Sequence, residues 1–198
     1  MTDDELLAVV HEAVDAVVAS FDGHDDWGLS GGRDGQYASD LVADSAALSV
    51  LQNAGLAVLS EESGRSSDAE LVAVVDPLDG STNASRPLPW FATSICVVEG
   101  DRPRVAVVHD HASGVRWDAI AGGGARVDGA PLPRRAPVPL DEAIVAINAL
   151  PLGIPAGVSS AASALRRLIC VRSPTAASTP TSTSMSMLSA RGITSEGC

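Results

Sequence analysis

The feature that most constrains this chain is a buried apolar run that empties into acids. Leu71–Val75, LVAVV, passes without a break into Asp76-Pro77-Leu78-Asp79-Gly80-Ser81-Thr82. An aliphatic run of this length bounded by polar turns predicts a buried strand. Pro77 fixes one backbone angle and has no N–H. Asp79 lies close enough in sequence to fold back toward Asp76, and the Leu78 carbonyl offers a further oxygen. Gly80, Ser81 and Thr82 then present backbone N–H groups at a predicted helix start, a geometry that binds phosphate well. A second apolar run, Leu56–Leu59, stops at Ser60-Glu61-Glu62-Ser63-Gly64. Two predicted strand ends therefore carry acids, and in layered α/β arrangements ligands collect at strand C-termini.

Bringing these groups together is costly, because two unit charges about 4 Å apart repel by roughly 4 kcal/mol at an effective dielectric near 20. A divalent cation reverses the sign. An all-oxygen set suits magnesium, manganese or calcium rather than zinc. By itself Glu61-Glu62 reads as a solvated turn, and Asp-Gly-Ser as a simple turn; the whole run directly after a buried strand is far more specific. Other phosphate and metal motifs fail on inspection. A calcium loop starting at Asp76 would place Leu78, Gly80 and Pro87 where acids are needed. The Asp-to-Asp spacing is one residue too long for a haloacid-dehalogenase nucleophile. A Walker loop requires Lys, and the chain has none.

Around these segments the chain alternates helix and strand. Leu6, Leu7, Val10, Val14, Val17 and Phe21 predict an amphipathic helix over 3–21, with Asp3, Asp4 and Glu5 at the end the dipole favours. Residues 22–37, rich in Gly and Asp, predict a loop. A second helix is expected from Ser39, as cap, to Ala54, ended by Gly55. Leu41, Leu48 and Leu51 mark its expected buried side, with Asp40 and Asp44 together on another face. A polar turn is expected over 65–70. Strands are expected at Phe91–Val98 and Arg104–His109, with a hairpin partner near Val115–Ala121, glycines at 122–124 and a turn at Asp128-Gly129, giving antiparallel sheet. Leu140–Ala149 predicts a further short element. His109 and His111 flank Asp110 at strand spacing; a turn at a strand end accounts for them better than a metal site does.

Composition narrows the partners. A formal net charge of −12 argues against nucleic acid or an anionic membrane as partner. The 3 cysteines, Cys96, Cys170 and Cys198, are irregularly spaced and suit free thiols rather than a disulfide framework. No apolar run reaches membrane-spanning length, and the acidic start lacks the character of a secretory signal. A cytoplasmic protein is expected.

Taken together the motifs resemble a known family. DPLDGSTN resembles the metal-binding signature of the inositol monophosphatases, SEESG their Glu-Glu-Ser segment, and DGQYASDLVAD the stretch that carries a further site aspartate. GGGARVDGAPL is similar to the family's hairpin and following turn. The likeness covers about residues 3–150. It implies a layered α-β-α-β-α sandwich and magnesium held by Glu61, Asp76, the Leu78 carbonyl and Asp79. Asp40 would assist a further ion. Gly80, Ser81 and Thr82 would hold the phosphate, and Ser81 with Asp40 or Glu61 would orient or deprotonate the attacking water. It further implies a small phosphorylated substrate, inositol monophosphate by default, and a homodimer. Relatives that act on fructose bisphosphate, a 3′-phosphoadenosine nucleotide or histidinol phosphate give alternative substrates.

The sequence departs from the family pattern at Ser60, usually Gly, and Ser81, more often Thr. It also lacks, after Ala149, the family's second signature of Trp-Asp followed by Gly-Gly; Trp117-Asp118 lies in the hairpin region and is no substitute. From about Arg172 the chain turns Ser/Thr-rich and aperiodic, which predicts a disordered tail. Its basic residues are all Arg, 13 in number with no Lys, the mark of a GC-rich gene. Back-translated with GC-rich codons and read one base earlier, Ser178–Cys198 permits VDAYVDVDVDAQRAWDYLGGM, which contains the missing motif. A frameshift near residues 165–177 is therefore expected. The domain reading is a metal-carrying α+β lobe over 1–150, the start of an incomplete lobe over 151–171 and a tail over 172–198. A catalytically impaired remnant and an acidic interaction module stand as the alternatives to an active phosphatase.

Overall fold

The structure, a computed structural model, describes residues 1–139. Met1–Leu132 form one compact unit, and residues 133–139 carry no helix or strand. Helix α1 (Asp3–Ser20) starts at a capping box in which Thr2 and Glu5 satisfy each other's backbone N–H groups. Helix α2 (Ala38–Asn53) follows a loop pinned by a single bridge, Leu29 to Tyr37. The strands are β1 (Ala57–Ser60), β2 (Gly64–Arg65), β3 (Leu71–Asp79), β4 (Ala92–Glu99), β5 (Arg102–Asp110), β6 (Arg116–Ile120), β7 (Gly124–Val127) and β8 (Ala130–Pro131), with a short helix α3 (Ser81–Ala84) after β3.

These strands make one mixed sheet in the order β2-β1-β3-β4-β5-β6-β7-β8. Only β1 and β3 pair in parallel, because α2 precedes β1 and the chain returns to β3 through the β2 turn; the other neighbours are antiparallel. The helices pack against the sheet, and the core lies between Leu6, Val10, Val14 and Val17 of α1, Ala43, Ala47 and Leu51 of α2, and Val58, Val75, Ile95, Val97, Val105 and Val107 of the sheet. Aliphatic side chains supply this core, as a chain with 3% aromatics requires.

The mixed α/β architecture is as expected, and within residues 1–139 the expected helices, strands and hairpin turns are present within a residue or two, except that β3 runs four residues past Val75 to Asp79. Three local readings need correction. Ser39 does not cap α2: it lies inside the helix, fully buried, with its hydroxyl unpartnered, and Tyr37 is the capping position. Leu41 is 45% exposed, and the buried side of α2 holds Asp40 and Asp44 alongside Ala43, Ala47 and Leu51. The two acids point inward because they meet the polar end of β1 and the β3–α3 junction. LVAVV is not buried throughout: Val74 is 39% exposed, in register with Leu59 at 40%, as alternation along a strand dictates. The polar turn after β1 also contains the two-residue β2. The predicted element at Leu140–Ala149, the lobe at 151–171 and the tail lie outside the described residues.

Candidate active site

The pairing of β1 with β3 builds the site. Ser60 stands opposite Val75 in the parallel register, and the next residue, Glu61, donates its N–H to the Val75 carbonyl at 3.0 Å. Glu61 thus emerges beside Asp76. Beyond Asp76 the β3–β4 register breaks: Asp76 pairs with Ser94 and Asp79 with Ala92, so Pro77 and Leu78 form a bulge against Thr93 alone. The bulge shifts the strand's alternation, and Leu78 rejoins Ala73 and Val75 in the core. Pro77, which has no N–H to give to a ladder, is accommodated there.

Gly80 ends the strand with φ of 92°. A Cβ at this position would lie 2.7 Å from the Trp90 carbonyl oxygen, so both conformation and space demand glycine. The Gly80 carbonyl accepts from the N–H groups of Asn83 and Ala84, which starts α3 at Ser81, as predicted. The first N–H groups of such a turn have no acceptor within the helix.

The first turn of α2 is stitched to α3. The Asp40 carboxylate accepts from the Tyr37 N–H at 2.9 Å, and the Ser81 hydroxyl lies near enough to act on its pKa. Burial raises the Asp40 pKa above the ordinary carboxylate value; the Tyr37 N–H opposes this, Glu62 raises it further, Ser81 opposes it and Glu61 adds to the rise. The hydroxyls of Thr82 and Ser85 near the Tyr37 phenol lower its pKa. On the β1 side, the buried Ser60 hydroxyl donates to Asp44 and accepts from the Glu62 N–H at 3.0 Å. Arg33 and Gln36 of the loop both donate to Glu62, Arg33 at 2.8 Å.

Asp40, Glu61 and Ser81 are therefore neighbours, and backbone register sets Glu61 beside Asp76. Asp76 and Asp79 flank the bulge that carries the Leu78 carbonyl. Among the described residues, however, no three His, Cys, Asp or Glu side chains converge as metal ligands. The residues fit a divalent cation in donor type and backbone placement, and the nearby Glu62 and Glu61 charges add to the raised pKa of Asp40. Sequence reading paired Asp44 with Asp40 without giving it a role, overlooked Arg33, Gln36, Tyr37 and Thr93, and took Glu62 as part of a solvated turn, whereas Glu62 is only 9% exposed. The i, i+4 spacing of Asp40 and Asp44 was the one available signal.

A separate cavity of about 320 Å³ is lined by His11, Arg116, Asp118 and Asp128. Asp118 pairs with Arg126 at 2.6 Å and His11 at 3.6 Å, and Arg116 with Asp15 at 2.7 Å, so these charges satisfy one another. Asp118 lies three strands from Val75 through Val107 and Ile95, about 14 Å at the usual strand spacing. Trp117-Asp118 thus belongs to the hairpin, as expected. Asp110 caps the turn after β5 through the Ala112 N–H at 2.9 Å and the Ser113 hydroxyl at 2.7 Å, in keeping with the turn reading of His109–His111.

Comparison with known proteins points the same way. A family model described as the inositol monophosphatase family matches residues 5–151. An Archaeoglobus fulgidus fructose-1,6-bisphosphatase/inositol-1-monophosphatase is 35% identical over 100 residues, 48% of this chain and 40% of that protein. Nus factor SuhB of Escherichia coli is 36% identical over 126 residues, 63% of this chain and 45% of that protein. The chain thus spans less than half the length of these curated relatives. Among solved structures, an inositol monophosphatase from Anabaena (Nostoc) sp. PCC 7120 superposes with a TM-score of 0.56 at 27% identity, covering 65% of this chain and 49% of that one. An extragenic suppressor from Pyrococcus furiosus gives 0.54 at 29% identity, covering 63% and 55%.

Proposed function

The chain belongs to the inositol monophosphatase family, and from that premise we propose that it serves magnesium-dependent hydrolysis of a small phosphate monoester. The observation that carries this reading is the β1–β3 register, which delivers Glu61 to the start of the Asp76–Thr82 segment. Glu61, Asp76, the Leu78 carbonyl and Asp79 would hold the cation. When bound, the cation supplies charge neutralisation at the phosphoryl group and makes water more acidic.

The chain's own residues do the rest. The Ser81 and Thr82 N–H groups at the start of α3 receive the phosphate oxygens. Ser81 hands its hydroxyl proton to Asp40 in a hydrogen bond and turns its oxygen toward water. Asp40, with its pKa raised chiefly by burial, is a stronger proton acceptor than an ordinary carboxylate. Glu61, exposed at the strand end, would offer its carboxylate to the cation. Inositol monophosphate is the first substrate to test. Fructose bisphosphate follows, because relatives carry both names.

The alternative is an impaired remnant, motivated by the missing Trp-Asp signature. Phosphate release from inositol monophosphate with magnesium, by this chain and by a frame-restored version, tests the proposal. Turnover by the present chain that disappears with chelator supports it. Activity confined to the restored version selects the remnant reading, and inactivity of both overturns the assignment.

A further inference from the structure

Thr93 is a fully buried hydroxyl at the start of β4, between Ile95 of the core and the aromatic cluster near Phe91. It stands opposite the bulge, where the ladder skips from Asp76 to Asp79. Its Oγ1 lies 2.8 Å from the Pro77 carbonyl oxygen and 2.8 Å from Nε2 of His111. A carbonyl only accepts, so the single hydroxyl proton goes to Pro77. The hydroxyl oxygen must then accept from His111, which assigns the proton of that imidazole to Nε2. The chain of donation runs from His111 through Thr93 to the carbonyl of Pro77.

The donor is itself held. The His111 N–H donates to the Phe91 carbonyl at 3.2 Å. The ring stacks on Phe91, nearly parallel at 5.7 Å, and meets Phe21 edge-on at 5.2 Å and His109 at 4.9 Å. Phe21, Phe91 and His109 thus hold the His111 ring, and through Thr93 that ring acts on one backbone oxygen within the bulge. That oxygen immediately precedes Leu78, and the bulge separates Asp76 from Asp79.

We propose that Thr93 and His111 are positioning residues: through the Pro77 carbonyl they hold the bulge that aims Asp76, the Leu78 carbonyl and Asp79. What the bulge presents rests on the phosphatase reading; that the pair holds it is a statement about the backbone alone. Polar partners of this kind behind a ligand set typically matter by 10–100-fold in affinity.

Three measurements on the full chain test it. Long-range proton–nitrogen spectra of the histidine rings should show His111 protonated at Nε2; a proton on Nδ1 alone overturns the hydrogen-bond chain. Amide exchange at Leu78, Asp79 and Gly80 should quicken about tenfold in Thr93→Val, the ratio expected for one lost hydrogen bond, while exchange at Val107 and Ala119 stays put. Thr93→Ser should restore slow exchange. If Thr93→Val does not fold, His111→Phe, which keeps the stack and removes the donor, should give the same local loosening, and His111→Gln, which restores an N–H, should reverse it. Unchanged bulge exchange in these variants overturns the positioning role. Magnesium titration separates this inference from the parent reading. Binding by the native chain that weakens about tenfold in Thr93→Val supports both. Equal binding by both proteins overturns the positioning role. No binding by the native chain, with the exchange effect intact, overturns only the metal reading.

Discussion

The backbone N–H of Glu61 donates to the carbonyl of Val75 at 3.0 Å, and this bond makes two loops into one candidate site. Without the parallel pairing of β1 and β3, Glu61 and Asp76 would be acids on unrelated turns. The relationship predicts that activity and metal binding fail together. Asp76→Asn should lower magnesium-dependent phosphate release by at least roughly 100-fold. Added magnesium should raise the midpoint of thermal unfolding of the native chain and leave that of Asp76→Asn in place, because a cation that binds only the folded state stabilises it. Parallel assays of turnover and melting check both halves.

Gly80 occupies a left-handed conformation with the Trp90 carbonyl 2.7 Å from where a Cβ would sit. Gly80→Ala should therefore destabilise the fold by about 1–3 kcal/mol, read from urea unfolding. Gly122→Ala, at a positive φ of 74° but with open space around it, should cost less, because only conformational strain acts there.

Ser60 bridges the buried Asp44 to the Glu62 N–H. Ser60→Ala should cost about 1.5–3 kcal/mol in urea unfolding, the worth of a hydrogen bond to a charged group. Adding Asp44→Asn to Ser60→Ala should recover part of the loss, since the amide is cheaper to bury than an unsatisfied carboxylate.

How much of this was legible in sequence depends on what each feature needs. Strand β3 and its acidic continuation are local: an aliphatic run, a proline and a glycine suffice to predict them. Helix α1 declares itself by its apolar periodicity and an acidic first turn. Helix α2 was misread at its buried side because Leu41 looked like core and Asp40 and Asp44 were set on a face apart from it. Burial of Asp40 and Asp44 depends on the Ser60, Ser81 and Tyr37 partners brought in by other segments. Glu62 looked solvated for the same reason: its donors, Arg33 and Gln36, come from a loop with no regular pattern. Thr93 and His111 meet only once three strands are in register, so no local signal announces them.

His111 predicts the acid limb of stability. Burial, aided by His109, holds its pKa down to about 4, with Asp110 opposing and Arg116 adding to the depression. The unfolded chain takes up the proton near pH 6.5, the ordinary value for histidine. Between these limits the unfolded state binds more protons, so stability rises with pH. The contribution is complete above about pH 6.5 and is lost as pH falls toward about 4. Protonation fills Nδ1 and leaves the Nε2 donation to Thr93 in place, so the cost is one of burying charge. His111→Gln should flatten the unfolding free energy over this window; an unchanged slope would remove His111 from the account.

The frameshift expected from the Ser/Thr-rich segment has a direct check. The gene's nucleotide sequence across codons 165–198 should contain Trp-Asp codons in the alternative frame. Their absence there would leave the present reading frame as the only one.

The central claim is that divalent cations are gathered at the ends of β1 and β3. A crystal soaked in manganese tests it most directly through its anomalous difference map. The account predicts a peak at coordinating distance from Glu61, Asp76, the Leu78 carbonyl and Asp79. A saturated crystal with no peak among those oxygens, or with manganese bound only elsewhere, would contradict it.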